Sequence, residues 1–250
     1  MKDLVMSELV KLRSTRMTYG ILAVTLAITA LEVAVDITTF SRSHAEFALT
    51  TSGGMRNLIG AASRGSILLL ILGILVFAGE YRHGTVTQVY LIEPRRSRVL
   101  IAKLIAMGIV GFVFSLFTSA LTLAMAIPWL TSYNIAIAPQ ENRIATVLIG
   151  SVVAMTLYAL LGVGVGALIR NQVAAIVGAL VWLVVIENLI ALLLPSAAKW
   201  LPGMSSTALV GASIPNAHLL SMWSGGIVFA SYCVAFAIVG GVVASKRDVS

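Results

Sequence analysis

Apolar residues dominate six stretches of the chain, at about 17–40, 58–79, 100–127, 144–169, 172–194 and 222–244. Each is long enough for a helix to cross about 30 Å of hydrocarbon, which takes roughly 20 residues. The runs do not alternate apolar with polar positions: Leu68 to Phe77 is apolar almost throughout. A transmembrane barrel would alternate in short segments, so the pattern predicts helices, which satisfy their own backbone groups in lipid. The third run is long enough to tilt or to project beyond the bilayer. The expected fold is an all-α integral membrane bundle, a single domain over 1–250 with six transmembrane helices.

The segments between the runs differ in character. Before the first run, Val5, Leu9 and Leu12 fall at i, i+4, i+7, with Asp3, Ser7, Lys11 and Ser14 on the other side. This predicts an amphipathic surface helix over 1–16, suited to the membrane face; an ordinary basic flank is the plainer alternative. Residues 41–57 read as a polar outer loop with Ser41, Arg42, His44 and Glu46, and 128–143 as another, opened by Pro128. Arg170-Asn171-Gln172 is so short a link that the fourth and fifth spans must be antiparallel neighbours. Residues 195–221 carry Pro195, Pro202 and Pro215 beside Trp200, Leu201, Leu209 and Val210. They are too apolar for a solvated loop and too broken for a span, which predicts short helices dipping into the outer leaflet.

Charge orients the bundle. Twelve of the 17 lysines and arginines fall on one side if the N-terminus is cytoplasmic: Lys2, Lys11, Arg13, Arg16, Arg82, Arg95, Arg96, Arg98, Lys103, Arg170, Lys246 and Arg247. Arg42, Arg56, Arg64, Arg143 and Lys199 fall on the other. Basic residues concentrate on cytoplasmic flanks, so both termini are expected inside. The first run is longer than the apolar part of a cleaved signal peptide and lacks a convincing small-residue cleavage site, so it is expected to stay as an anchor. The chain is 59% hydrophobic and 11% charged, against about 25% charged for soluble domains. That excludes an ordinary cytosolic enzyme, a disordered chain and, with Cys233 alone, a disulfide scaffold. The net charge of +7 then reports orientation rather than a nucleic-acid partner.

Several chemistries lack their parts. The chain has no G-x-x-x-x-G-K-[ST] and no H-E-x-x-H. His44, His83 and His218 fall on two sides of the membrane by this topology, so they make no common metal site. None lies in a span, which removes an intramembrane Ser–His pair. Gly162-Val163-Gly164-Val165-Gly166 follows a span rather than a strand, so it reads as close helix packing, not a dinucleotide loop. Gly111, Ser115 and Ser119, and Ala174 with Gly178, form similar small-residue ridges.

Charged groups within spans cost about 2.5–3.5 kcal/mol at mid-helix on insertion scales and mark candidate sites. Glu32 and Asp36 share a face at i, i+4 in the outer half of the first span. They either face water at the rim, pair with Arg56 or Arg64, or belong to an ion or substrate pathway. Glu187, beside Asn188, is expected to face the bundle interior, in a transport pathway or in a hydrogen bond to the broken segment after Pro195.

The stretch GEYRHGTVTQVYLIEPRRSRVLIAK, residues 79–103, is the most informative. Gly84 permits a sharp turn. Thr85 and Gln88 have capping-box spacing, so a short helix is expected from Thr85 to about Ile92, with Val86, Val89, Tyr90 and Glu93 on one face. Pro94 ends it and can open the next helix. An apolar face on the cytoplasmic surface needs a partner: an ATPase subunit or lipid headgroups.

This stretch resembles the coupling region of the permease subunits of type-2 ABC exporters, through Glu80, Gly84, Thr85, Leu91, Pro94, Arg98 and Lys103. Residues 162–176, GVGVGALIRNQVAAI, are similar to that family's link between the fourth and fifth spans. The resemblance implies a plasma-membrane half-transporter working as a permease pair, homodimeric or heterodimeric. Two separately encoded ATP-binding subunits would carry ATP and Mg, leaving no cofactor and no enzyme activity in this chain. The cytoplasmic loop 80–99, with Gln88 and Tyr90 among its coupling residues, would dock on them. The competing expectation is an ion-gradient-driven secondary transporter or channel using Glu32, Asp36 and Glu187, though no inverted repeat is visible. A lipid-directed enzyme lacks a catalytic cluster.

Overall fold

The computed structural model describes residues 1–40, 49, 51–82, 84–135, 143–212 and 219–246. The three histidines and most of the 41–57 loop, with Ser41, Arg42 and Glu46, lie outside the described residues. Among those described there are helices and no strand. Helix α1 (Lys2–Ser14) precedes α2 (Arg16–Phe40); α3 (Ser52–Gly60), a 3-10 turn (Ala61–Ser63) and α4 (Ser66–Arg82) follow. Next come α5 (Val86–Ile92), α6 (Arg96–Ser132), α7 (Ile144–Leu168) and α8 (Gln172–Leu180). A π-helical segment (Val181–Ile186) leads to α9 (Glu187–Leu193), α10 (Pro195–Ala198), α11 (Pro202–Val210) and α12 (Met222–Lys246). Six stretches are long and apolar enough to span a membrane: Arg16–Thr39, Ser52–Arg82, Arg96–Ser132, Ile144–Leu168, Gln172–Leu193 and Met222–Ala244. The chain is a multi-pass membrane protein.

Two boundaries differ from the sequence expectation. The second span begins at Ser52, not near 58, because Thr51 caps it: its Oγ1 accepts the Gly54 N–H at 3.1 Å. The expected loop over 41–57 is therefore partly helix, with Met55, Asn57 and Leu58 buried. Pro128 does not open a loop but lies inside α6, which continues to Ser132. The helix stops where Asn134 turns left-handed at φ 54°, and the Ile135 and Asn134 N–H groups return to Leu130 O and Thr131 O at 3.0 and 3.1 Å. That double bond pattern satisfies the last carbonyls. At about 1.5 Å per residue the 37 residues of α6 reach about 55 Å, well past the hydrocarbon. The short helices expected within 195–221 are α10 and α11, each opened by a proline whose missing N–H costs nothing there.

Helix α7 occupies the middle, touching α4, α6, α11 and α12. Its glycines set the distances. A Cβ on Gly162 would collide with the Leu70 carbonyl of α4, and one on Gly164 would lie 3.0 Å from the Ala237 N of α12. Gly111 of α6 meets Ala159 of α7 in the same way. Ala174 and Gly178 are both exposed, and a Cβ on Gly178 would meet no atom among the described residues.

The Arg96 guanidinium donates to Ala244 O at 3.0 Å, and α1 packs on α6. The N-terminal helix, the end of α12 and residues 84–95 thus share one end of the bundle, called the loop end below.

Candidate functional site

At the loop end, α4 finishes in a turn at Gly84, as the sequence predicts. Gly84 has φ +68°, the Thr85 N–H donates to Glu80 O at 3.0 Å, and the Gly84 N–H donates to Tyr81 O at 3.3 Å. This is a glycine-terminated helix end. The expected capping box is not formed: Thr85 is already near helical at φ −81°, ψ −10°, and its side chain caps nothing in α5. Its hydroxyl leans back on Glu80 O at 3.5 Å, and Gln88 is exposed. Pro94 breaks the chain between α5 and α6 without opening α6, which starts two residues later at Arg96. The residue before a proline is pushed to extended backbone, as Glu93 is at φ −129°, ψ 99°, and its carboxylate accepts the Arg95 N–H at 3.2 Å. Arg98 pairs with Glu93 at 3.6 Å.

Glu80 and Lys103 meet in a buried ion cluster. Lys103 is 1% exposed, and its Nζ donates to Glu80 Oε1 at 2.7 Å, Glu8 Oε2 at 2.8 Å and Val76 O at 3.3 Å. Three donors meet three acceptors, which is what a buried ammonium requires. Lys11, half exposed, bridges Glu8 at 2.7 Å and Glu80 at 3.1 Å. Burial pushes the Glu8 carboxyl up, but Lys103 and Lys11 outweigh it and hold it below the usual value. Desolvation opposes the Lys11 charge, yet Glu8 and Glu80 hold its ammonium above the usual value. The cluster ties α1 to the ends of α4 and α6. Leu4, Val5 and Leu9 face the bundle half-buried, Leu12 buried, while Met6 and Val10 face out.

Helix α5 is oriented by a second network. The expected common face exists: Val86 is buried and Val89, Tyr90 and Glu93 are half-buried. It points into the chain rather than away from it. Tyr90 Oη lies 3.3 Å from Tyr81 Oη, the Arg96 guanidinium sits 5.1 Å over the Tyr90 ring, and Arg170 sits 4.9 Å over Tyr81. Burial, then the Tyr81 hydroxyl, raises the Tyr90 phenol above its usual value. The outward side of α5 carries Thr87, Gln88 and Leu91, the last 79% exposed. Between α5 and α1 lies a cavity of about 520 Å³ lined by Glu80, Thr85, Gln88 and Lys11.

The intramembrane acids gather away from the loop end. The Arg64 guanidinium donates to Asn57 O at 3.0 Å, pairs with Asp36 at 2.8 Å and lies 3.8 Å from Glu32. The expected pairing with Arg64 is therefore present. Glu32, Arg64, Glu187 and Asn188 line one cavity of about 490 Å³, with Asp36 reached through Arg64. Glu187 is buried and its Oε2 accepts the Gly203 N–H at 2.8 Å, at the start of α11. The hydrogen bond to the broken segment is thus also present, placing a carboxylate where helix N–H groups lack partners. Tyr158 Oη meets Ser206 Oγ at 2.9 Å in the same wall.

Sequence reasoning missed Glu8, Gly203, Tyr158 and Ser206. For Glu8 a signal existed: it stands four residues from both Leu4 and Leu12, a charge set into an apolar stripe. Nothing marks the other three, since their partners come from distant helices.

Comparison with known proteins gives a family. No curated protein matches the chain. A family model described as ABC-2 family transporter protein matches residues 4–186, which takes in most of α1, residues 84–95 and all but the last turns of the fifth span. With the six apolar helices and this match over most of its length, the chain belongs to the ABC-2 transporter family as a membrane permease component.

Proposed function

We propose that this chain is the permease half of an ATP-driven exporter in the plasma membrane, with its loop end and both termini cytoplasmic. ATP-binding subunits, two per pair of permeases, dock on the outward side of α5 and hydrolyse ATP with Mg; this chain supplies no cofactor. The observation that carries the reading is α5 itself: its apolar face is already seated, so the surface it offers a partner is Leu91 with Thr87 and Gln88. Force on that surface reaches the spans through Tyr90–Tyr81 and Arg98–Glu93. The Lys103 cluster carries it on to α1. Family membership speaks against the ion-driven alternative.

Two permeases form the substrate pathway. The fifth span supports this role most directly, because it buries the smallest share of its residues of the six and its Ala174–Gly178 ridge is exposed; the first and sixth spans are also little buried. Glu32, Asp36, Glu187 and Asn188 serve the half of the pathway away from the ATPase.

The test is co-purification with a separately encoded ATP-binding subunit, followed by reconstitution. Leu91→Glu is expected to insert normally and to lose substrate-stimulated ATPase activity. Normal stimulation in both Leu91→Glu and Gln88→Glu would remove this loop from the coupling path. A stable active complex holding a single permease would overturn the pair.

A further inference from the structure

We infer that the cavity around Glu187 is a binding site for a primary ammonium group carried on an apolar molecule. The first observation is where the fifth span spends its burial. Of residues 172–193 only Ala175 and Glu187 are buried, while Val184, Val185, Asn188 and Leu189 around the acid are exposed. A helix that turns its single carboxylate inward and its valines and leucines outward is built around that carboxylate. The π-helical turn over Val181–Ile186, directly before Glu187, shifts the register at this point. Such turns inside α-helices are frequent at functional sites.

The second observation concerns the oxygens. Glu187 Oε2 is occupied by the Gly203 N–H at 2.8 Å. Oε1 is buried and no donor among the described residues makes a well-formed hydrogen bond to it; the Trp182 side chain and the Met204 N–H lie close enough to stabilise the carboxylate only weakly. A buried unpaired acceptor costs about 1–3 kcal/mol, more when charged, unless a ligand supplies the donor. Arg64, the cation of the cavity wall, is engaged by Asp36, Glu32 and Asn57. Three acids against one arginine leave the surroundings net acidic.

The chemistry of the donor follows. An anion is disfavoured by the surplus carboxylates. A guanidinium is a planar fork that pairs best with both oxygens of a carboxylate, and one of these is taken. A dehydrated metal cation needs several oxygens closing on it, whereas this space of about 490 Å³ also has Ile67, Leu183 and Val210 in its wall. A compact ammonium on an apolar stem satisfies both parts of the lining. Glu187 stands 15 residues from the start of its span, about 22 Å from the loop end, so such a molecule lies at a depth where its stem is in apolar surroundings.

The inference depends on the proposed permease function only in making the amine cargo. Binding is therefore measured on the full chain in nanodiscs without an ATPase subunit. A failure of coupling leaves binding intact, and a failure of binding leaves coupling intact. Tryptophan fluorescence is titrated with n-octylammonium, and with n-octanol as the neutral match. Saturable binding of the amine is expected, with none of the alcohol. Glu187→Gln keeps an acceptor for Gly203 and is expected to weaken amine binding at least tenfold. Glu32→Gln is expected to weaken it severalfold, and Asn188→Lys, which tethers an ammonium in the cavity, to abolish it. The latter two carry the test if Glu187→Gln does not fold. Weaker octylammonium binding in phosphatidylethanolamine than in equally zwitterionic phosphatidylcholine nanodiscs would name the lipid headgroup as the resident amine; equal binding would name a free amphipathic amine. Wild-type affinity in the folded variants, equal binding of octanol, or full displacement by excess KCl would each overturn the assignment.

Discussion

Replacing Lys103 by Met should release α1 from the bundle without unfolding the six spans. The lysine is 1% exposed and neutralises Glu8 and Glu80, whose side chains are 6% and 16% exposed. Removing one partner of a buried pair costs about 3–5 kcal/mol, because the remaining charge stays buried without compensation. Here Lys11 still reaches both acids, so the lower end, about 3 kcal/mol, is the expected loss. At about 1.4 kcal/mol per decade that is roughly a hundredfold in the docking equilibrium. Amide hydrogen exchange in nanodiscs reads it directly: protection of Val5 to Leu12 should fall by about that factor while α7 stays protected. Lys11→Met should cost under about 1 kcal/mol, since that lysine is half exposed. The triple change Lys103→Met, Glu8→Leu, Glu80→Leu should recover much of the loss, because apolar groups of similar size replace buried ion clusters at little cost. Unchanged exchange in Lys103→Met would refute the idea that this cluster holds α1.

Four further outcomes are expected. In a Cys233→Ser background, a cysteine at exposed Ser132 should react with an impermeant thiol reagent outside intact cells, and cysteines at Ser14 or Ser97 should not; Ser206, buried against Tyr158, is a poor reporter. Gly84→Val should cost at least the roughly 1–2 kcal/mol of a left-handed L-residue and loosen exchange in α5, while Gly84→Asn stays closer to wild type and Thr85→Ala changes little. Gly162→Ala should lower thermal stability sharply because the new methyl strikes the Leu70 backbone, whereas Gly178→Ala should stabilise the isolated chain by up to about 1 kcal/mol. Glu8 is held below the ordinary glutamate value of 4.5, so its contribution to α1 docking is fully present above that pH and is lost as pH falls through the lowered folded value; Lys11, held above 10.5, contributes below that pH and loses its share as pH rises through the raised value. Intrinsically corrected exchange of α1 that rises between these limits would contradict that balance.

What the sequence reveals and conceals here has one physical cause. Crossing hydrocarbon demands length and apolarity, and both are local, so the spans were legible from their runs. Gly84 was legible for a similar reason, since a turn between a span and a polar loop selects glycine by its own backbone. The ends at Ser52 and Ser132 were not, because they depend on a threonine hydroxyl and on a left-handed asparagine that apolar counting ignores. Nor was the facing of each helix, because a span that is apolar all round has no face to read. In such helices the information sits in the exceptions. Asp36, Lys103 and Glu187 are each a charge in an apolar run, and Glu8 is one in an apolar stripe; all four are buried and bound to another helix. Glu32 and Asn188 look equally exceptional in sequence yet stay partly or well exposed. The difference is whether a partner waits at the same depth: Arg64 turns to Asp36 at 2.8 Å and leaves Glu32 at 3.8 Å, and the start of α11 takes Glu187 rather than its neighbour. A charge in a span therefore announces that something will meet it, and only the packing of the other spans decides what.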